Sequence, residues 1–261
     1  MLLAIDVGNT NIVLGIFDGK TLVHAWRLQT LRERTADELG LLVEGLFSHS
    51  AVRRTRVDGI VLGSVVPPLT GTACTMVERY FDQQPLVVDP ARNTGMPILY
   101  ENPAEVGADR IVNAIAAHEQ FGNERRHPLI VCDFGTATTL DAVSANGEYL
   151  GGAICPGITI SADALFQRAA RLPRIDVRKP PRVVGRTTVS AMEAGLFYGH
   201  VGMVEGLIRR MSDELGGGAF CVATGGLAPI IAPETNLIEH VDVDLTLQGL
   251  RIVWERNQTT R

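Results

Sequence analysis

The first thirty positions alternate on a short period. LLAIDV (Leu2–Val7), NIVLGIF (Asn11–Phe17) and LVHAWRL (Leu22–Leu28) are apolar or alternating runs, parted by Gly8-Asn9-Thr10 and by Asp18-Gly19. Runs of this length between turn residues predict strands, and Asp-Gly between the last two predicts a hairpin. The period then lengthens. Thr35, with Glu38 three residues on, is a capping-box signature, and LGLLVEGLF behind it has helical spacing. VDGIVLGSVVPP predicts a buried strand stopped by proline, TACTMVERYF a helix and PLVVD a further strand. A turn-rich loop around Asn93-Thr94-Gly95 leads to GADRIVNAIAAHEQF, a predicted helix.

After the polar stretch Gly122–Pro128 the pattern restarts. LIVCDFGTATTLDAVSANGEYLGGAI predicts strand, small-residue turn, strand, Asn146-Gly147 hairpin and strand. It matches the N-terminal segment element for element, with Asp133 standing 127 positions after Asp6, about the size of one domain. That spacing marks an internal duplication. Helices are expected near Thr159–Arg171 and Ser190–Leu215, the second opened by a capping box of Ser190 and Glu193. The strand AFCVAT, the pair Gly225-Gly226 and a last helix near Leu245–Arg256 complete the reading. Mixed strands and helices in each half give an α/β class, with domains expected at 1–122 and 123–261.

Composition narrows the function classes. The 261 residues are 46% hydrophobic and 20% charged, as in a globular protein. A net charge of −5 argues against a nucleic-acid or anionic-membrane partner, and Arg53-Arg54 and Arg125-Arg126 are short enough to be solvated surface. No run is long and apolar enough to span a bilayer, and Asp6 interrupts the first apolar run before it could act as a signal peptide. Cys74, Cys132, Cys155 and Cys221 are dispersed, without a C-x-x-C pair, which suits a reducing cytoplasm.

The chemistry lies in the two turns. Gly8 and Gly135 allow the backbone to approach phosphate oxygens, since glycine has no Cβ to block it. Asn9, Thr10, Asn11, Thr136 and Thr138 offer small donors, and Asp6 and Asp133 a carboxylate beside them. Taken alone, Asp-x-Gly also makes ordinary hairpins; two copies at domain spacing favour a clamp on a nucleotide triphosphate. Gly225-Gly226 reads either as a flat passage for adenine or ribose, or as plain strand-to-helix punctuation.

In this combination the chain resembles the acetate and sugar kinase, heat-shock chaperone and actin superfamily. That resemblance implies two duplicated ribonuclease-H-like domains with a nucleotide cleft between them. Gly107-Ala108-Asp109-Arg110 narrows it. Read locally, Asp109 caps a helix; a kinase, however, needs a carboxylate for the proton of the attacking hydroxyl and a cation near the transferred group. With DVGNTN, SVVP, DFGTATT, GGAICPGI and ATGGLAP in order, the whole chain resembles the type III pantothenate kinases.

The resemblance implies ATP-dependent phosphorylation of pantothenate, with Asp109 as general base. ATP would be held by Asp6, Val7, Gly8, Asn9, Thr10, Asn11, Ile12, Val13 and Thr136. Pantothenate would meet Tyr100, Gly107, Ala108, Asp109, Arg110 and Thr188. Asp6 would help to place Mg2+, and Asp133 would bind a monovalent cation, K+ or NH4+. Without the family, Tyr100 reads as packing at a strand end and Thr188 as a helix cap. A homodimer is also implied, with the helix from Ser190 to Leu215 as its interface. The alternatives are a phosphohydrolase of the same superfamily and a non-catalytic regulator that kept the fold.

Overall fold

A computed structural model describes residues 1–122 and 127–259; Arg125 and Arg126 therefore lie outside the described residues. The strands are β1 (Leu2–Val7), β2 (Asn11–Asp18), β3 (Thr21–Gln29), β4 (Gly59–Ser64), β5 (Leu86–Val87), β6 (Leu129–Phe134), β7 (Ala137–Val143), β8 (Tyr149–Pro156), β9 (Phe220–Thr224) and β10 (His240–Val241). The helices are α1 (Ala36–Ser48), α2 (Pro67–Phe81), α3 (Ala108–Ala117), α4 (Ile158–Arg168), α5 (Thr188–Glu214), α6 (Ala228–Ile231) and α7 (Leu245–Thr259). Two compact units result: Met1–Ala116 with Asp244–Arg261, and Ala117–Val243.

The duplication expected from sequence is written into the sheets. The first is ordered β3-β2-β1-β4-β5 and the second β10-β9-β6-β7-β8, one topology read from opposite edges. In each, two antiparallel hairpins build three strands and a parallel partner follows. The turn after β6 has one residue fewer than the turn after β1. Once that difference is allowed for, the bulges at Ile16/Phe17 and Ala142/Val143 fall at the same place. A bulge adds local twist, and its repetition shows that the hairpins were copied with their distortion.

Alternate residues of β1 face opposite ways. Leu3, Ile5 and Val7 pack with Leu39, Val43 and Phe47 of α1 and with Leu69, Met76 and Phe81 of α2. Both helices present apolar residues at helical spacing, and the Thr35–Glu38 capping box forms as expected. The Glu38 carboxyl is held below its ordinary range by the backbone and hydroxyl hydrogen bonds of Thr35. The opposite face of the sheet, carrying Leu2, Ala4 and Asp6, is where α7 lies. Gly15, Gly59 and Gly63 open that face: an added Cβ would stand 2.8 Å from Leu247, 2.3 Å from Trp254 and 2.9 Å from Leu250. The linear division at 122/123 puts α7 with the second sheet, whereas its apolar side chains fill these glycine gaps in the first.

In the second unit Ile130, Cys132, Phe134 and Leu140 pack under Phe197, Val201, Val204 and Ile208 of α5, with Ile158 and Ile231 at the margins. Three local expectations differ from what forms. PLVVD gives a pair of only two residues, β5, although the Val88 N–H still donates to the Leu62 carbonyl at 2.8 Å. The helix opened by GADR ends at Ala117 and widens into a π-helical turn over His118–Gly122. The cap of α5 is Thr187 with Ser190, not Ser190 with Glu193. Glu193 is drawn instead to Arg178, Nε to Oε1 at 2.6 Å.

Adding a methyl where an indole already sits overpacks the site. Gly59→Ala is therefore expected to cost about 1–3 kcal/mol in urea unfolding. Trp254→Leu in the same chain should recover part of that loss; strictly additive losses would refute the packing account.

Candidate active site

The parallel register of β1 and β4 sets Asp6 opposite Gly63 and Val7 opposite Ser64. The carboxyl ends of such strands are where open α/β sheets bind ligands. Beyond Val7 the Gly8 N–H donates to the Asn11 carbonyl at 3.0 Å and closes the turn. Thr30, at the end of the β2–β3 hairpin, holds it from outside. Its hydroxyl donates to the Gly8 carbonyl at 2.7 Å and its N–H to the Thr10 carbonyl at 2.9 Å. Within Asp6–Val13 the residues divide by burial: Val7 and Ile12 are core, while Asn9 and Thr10 are exposed on the turn. The exposed side chains of the turn are thus the small polar ones.

Val65 joins this turn to the GADR segment. Its N–H donates to the Val7 carbonyl at 3.1 Å, and its Cγ1 stands 3.3 Å from where a Gly107 Cβ would be. The same added Cβ would come 2.5 Å from Asp109 Oδ1. Glycine at 107 thus leaves room for a carboxylate folded back over the helix start. Asp109 lies inside the first turn of α3, so it is not the residue that caps it. Its Oδ1 accepts the Arg110 N–H at 2.7 Å, and its charge suits the positive end of the helix. Arg110 is 8% exposed, deep for an arginine. Tyr100, at the other end of this loop, is exposed. Asn113, one turn along α3, is buried and accepts the Thr246 hydroxyl at 2.8 Å, tying α3 to α7.

The second turn is built alike within its own unit. Asp133 is opposite Thr139 on β7 and Thr224 on β9. The Gly135 N–H donates to the Ala137 carbonyl at 3.1 Å, leaving Thr136 exposed at the tip. Gly157 passes so close beneath that a Cβ would lie 2.2 Å from the Thr136 carbonyl. The two glycines of ATGG prove unlike. Gly225 has φ of 90° and lies against Asp133, a Cβ there meeting Oδ1 at 2.5 Å; Gly226 faces open space. Thr188 is exposed at the first helical position of α5, with the cap supplied by its neighbour Thr187.

Sequence reading missed Thr30, which carries no local sign of contact with residues 8–10, and Val65, one valine among several. It also missed two partners of the second turn. Thr138, expected to offer a donor to phosphate, is instead 1% exposed with its Oγ1 3.0 Å from His200 Nε2, and the Thr139 hydroxyl donates to the fully buried Asp141 at 3.1 Å. The Tyr149 hydroxyl completes the Asp141 site at 2.7 Å. A histidine within the apolar stripe of α5 was the visible signal for the first.

Two of the cysteines are placed as core residues, not as nucleophiles. Cys132 and Cys221 are buried with sulfurs 3.5 Å apart, and that hydrogen bond, then burial, pushes the Cys132 thiol well above its usual range. Among the described residues no group of three or more His, Cys, Asp or Glu side chains is placed to hold a metal. In each turn taken by itself the donors at hand are hard oxygens, Asp6 in the first and Asp133 in the second with nearby hydroxyls and carbonyls, which suit Mg2+ or K+ and not a soft metal. With so few carboxylates, a bound Mg2+ would draw its other ligands from phosphate and water.

Two like sheets, each with Asp-x-Gly at the end of its first strand, define a two-unit α/β fold that solved structures of other proteins share. MreB 5 of Spiroplasma citri, solved with AMPPNP, superposes with a TM-score of 0.55 at 13% identity, covering 99% of this chain and 97% of its own. A protein of Campylobacter jejuni described as a Baf family transcriptional activator gives 0.61 at 19% identity, over 98% and 99%. The fold is thus shared by proteins of different function.

Sequence is more specific. A family model for type III pantothenate kinase matches residues 2–210. The type III pantothenate kinase of Moorella thermoacetica is 57% identical over 98% of this chain and all of its own length. That of Myxococcus xanthus is 56% identical over the whole of both. The chain belongs to the type III pantothenate kinase family.

The contrast between the two glycines of ATGG is open to measurement. Gly225→Ala meets both a positive φ and the Asp133 carboxylate, and is expected to cost about 1–3 kcal/mol in urea unfolding. Gly226→Ala should stay within about 0.5 kcal/mol. Equal losses would show that the Asp133 contact is not what fixes the turn.

Proposed function

We infer that the chain transfers the γ-phosphoryl group of ATP to the primary hydroxyl of pantothenate, giving ADP and 4′-phosphopantothenate, the first step of coenzyme A biosynthesis. The observation that carries this reading is full-length identity above half with type III pantothenate kinases. The link from Val7 through Val65 to Gly107 supports its chemistry, because it sets a carboxylate near a turn suited to phosphate.

In this reading Gly8, Asn9 and Thr10 receive phosphate oxygens, with Val7 and Ile12 as the buried frame and Asn11 and Val13 starting the next strand. Thr136 is a further nucleotide contact. Asp6 helps to hold Mg2+ and Asp133 the monovalent cation, K+ or NH4+; both ions offset phosphate charge. Gly107 and Ala108 let pantothenate approach the start of α3, with Tyr100 on the same unit; Thr188 is a further pantothenate contact in this reading. Asp109 takes the hydroxyl proton as the alcohol oxygen bonds to the γ-phosphorus and the bond to the bridging oxygen of ADP breaks. Arg110 balances the charge that develops on the transferred group. The four free cysteines support a cytoplasmic setting. Among the described residues no helix is long and apolar enough to cross a membrane.

The active form is a homodimer through α5. Gly195, Gly199, Gly202 and Gly206 recur at spacings of four, three and four on this 27-residue helix. A Cβ at Gly195, Gly199 or Gly202 would meet nothing. Each glycine inside a helix costs about 1 kcal/mol relative to alanine. Packing within one chain does not call for them, whereas close approach of a second helix does. Ile154, Ile160 and Phe166 of the same unit add exposed apolar surface.

Two measurements test these roles. ADP release should depend on added pantothenate, and Asp109→Asn should lower turnover by about 10²–10⁴-fold with ATP affinity kept. ADP release without pantothenate would indicate a phosphohydrolase, and none at all a regulator. Gly199→Leu should shift sedimentation from dimer to monomer; an unchanged dimer would remove α5 from the interface.

A further inference from the structure

His200 is buried at 7% exposure on the core side of α5, amid Phe197, Val201 and Val204. An imidazole among apolar side chains needs a partner, since an unpaired buried polar group is costly. It has one: Nε2 is 3.0 Å from Oγ1 of Thr138, itself 1% exposed. The ring also lies 6.1 Å from that of Phe134, centroid to centroid.

Phe134 and Thr138 are register partners on β6 and β7, and between them lies only the turn Gly135-Thr136-Ala137. His200 therefore touches both strands where they enter and leave that turn. Asp133 precedes Phe134, and Thr136 stands at the tip. Gly225 packs against the Phe134 backbone on one side and Gly157 against the Thr136 carbonyl on another. The turn is confined by backbone wherever glycine allows close approach, and on the α5 side His200 is its polar anchor. Burial pushes the imidazole below its ordinary 6.5, so the neutral ring is the form that meets Thr138 near neutral pH.

We propose that His200 is a positioning residue for the second phosphate turn, fixing through Thr138 and Phe134 the pose of Thr136 and Asp133 and thereby the affinity for the triphosphate end of ATP. The inference rests on reading residues 133–138 as a nucleotide turn. Neither His200 nor Thr138 touches the nucleotide in this scheme.

The test is calorimetric binding of AMPPNP and of adenosine, without pantothenate, to the wild type, His200→Leu, Thr138→Val, the double variant and His200→Gln. Thr138→Val removes the hydroxyl with little change of shape; it carries the test if His200→Leu does not fold, thermal melting serving as the check. Loss of one net hydrogen bond should weaken AMPPNP about three- to tenfold. The double variant should be no worse than the single ones, glutamine at 200 should restore most of the affinity, and adenosine should bind unchanged. Wild-type affinity in folded Thr138→Val, additive losses, or equal weakening of adenosine would each overturn the proposal alone. Failure of the wild type to bind AMPPNP would overturn the nucleotide reading and this proposal with it.

Discussion

Parallel pairing of the first strand of each unit with the strand after its first crossover is the constraint on which the rest depends. It aligns Asp6 with Gly63 and Asp133 with Thr224, so each carboxylate stands where its sheet stops hydrogen bonding and a turn begins. One slip of register would carry the aspartate to the other face, among Leu3, Ile5 and Val7 or among Ile130 and Cys132, where a charge has no water. The apolar packing of α1, α2 and α5 therefore does more than stabilise the sheets. It selects the register that leaves one acidic side chain at each strand end.

Strand pairing and function left different traces in the sequence. The paired hairpins, the Asp-x-Gly turns and GADR were legible because each is local: a period, a turn dipeptide, a short run. The side of the sheet to which α7 returns was not legible. Its evidence is three single glycines in β2 and β4 whose partners lie about two hundred residues on. The cap of α5 was misplaced by three residues because Thr187, Thr188, Ser190 and Glu193 offer competing signals. Thr187 with Ser190 forms the cap, and Glu193 pairs with Arg178. Of the candidate site, the turns and GADR were visible as motifs, whereas the contacts made to the two turns by Thr30 and His200 are pairings that only the fold creates.

The two turns also show how duplicated frames diverge in detail. They share strand register and bulge position, yet the second is shorter by one residue, and its carboxylate is pressed against Gly225 where the first faces Gly63 across a regular ladder. The first keeps three exposed or half-exposed polar positions, the second essentially Thr136. A copied frame thus carries loops of unequal length and unequal polar display.

The return of α7 bears on the order in which the chain acquires structure. On the ribosome, residues 117–243 are synthesised before the helix that covers the first sheet. The second unit, continuous in sequence, has been synthesised whole at that moment, while β1, β2 and β4 still lack the helix that fills the grooves at Gly15, Gly59 and Gly63. The half made first is thus the half finished last. Its exposed sheet is the surface on which a chaperone, or an aggregating neighbour, would act during synthesis.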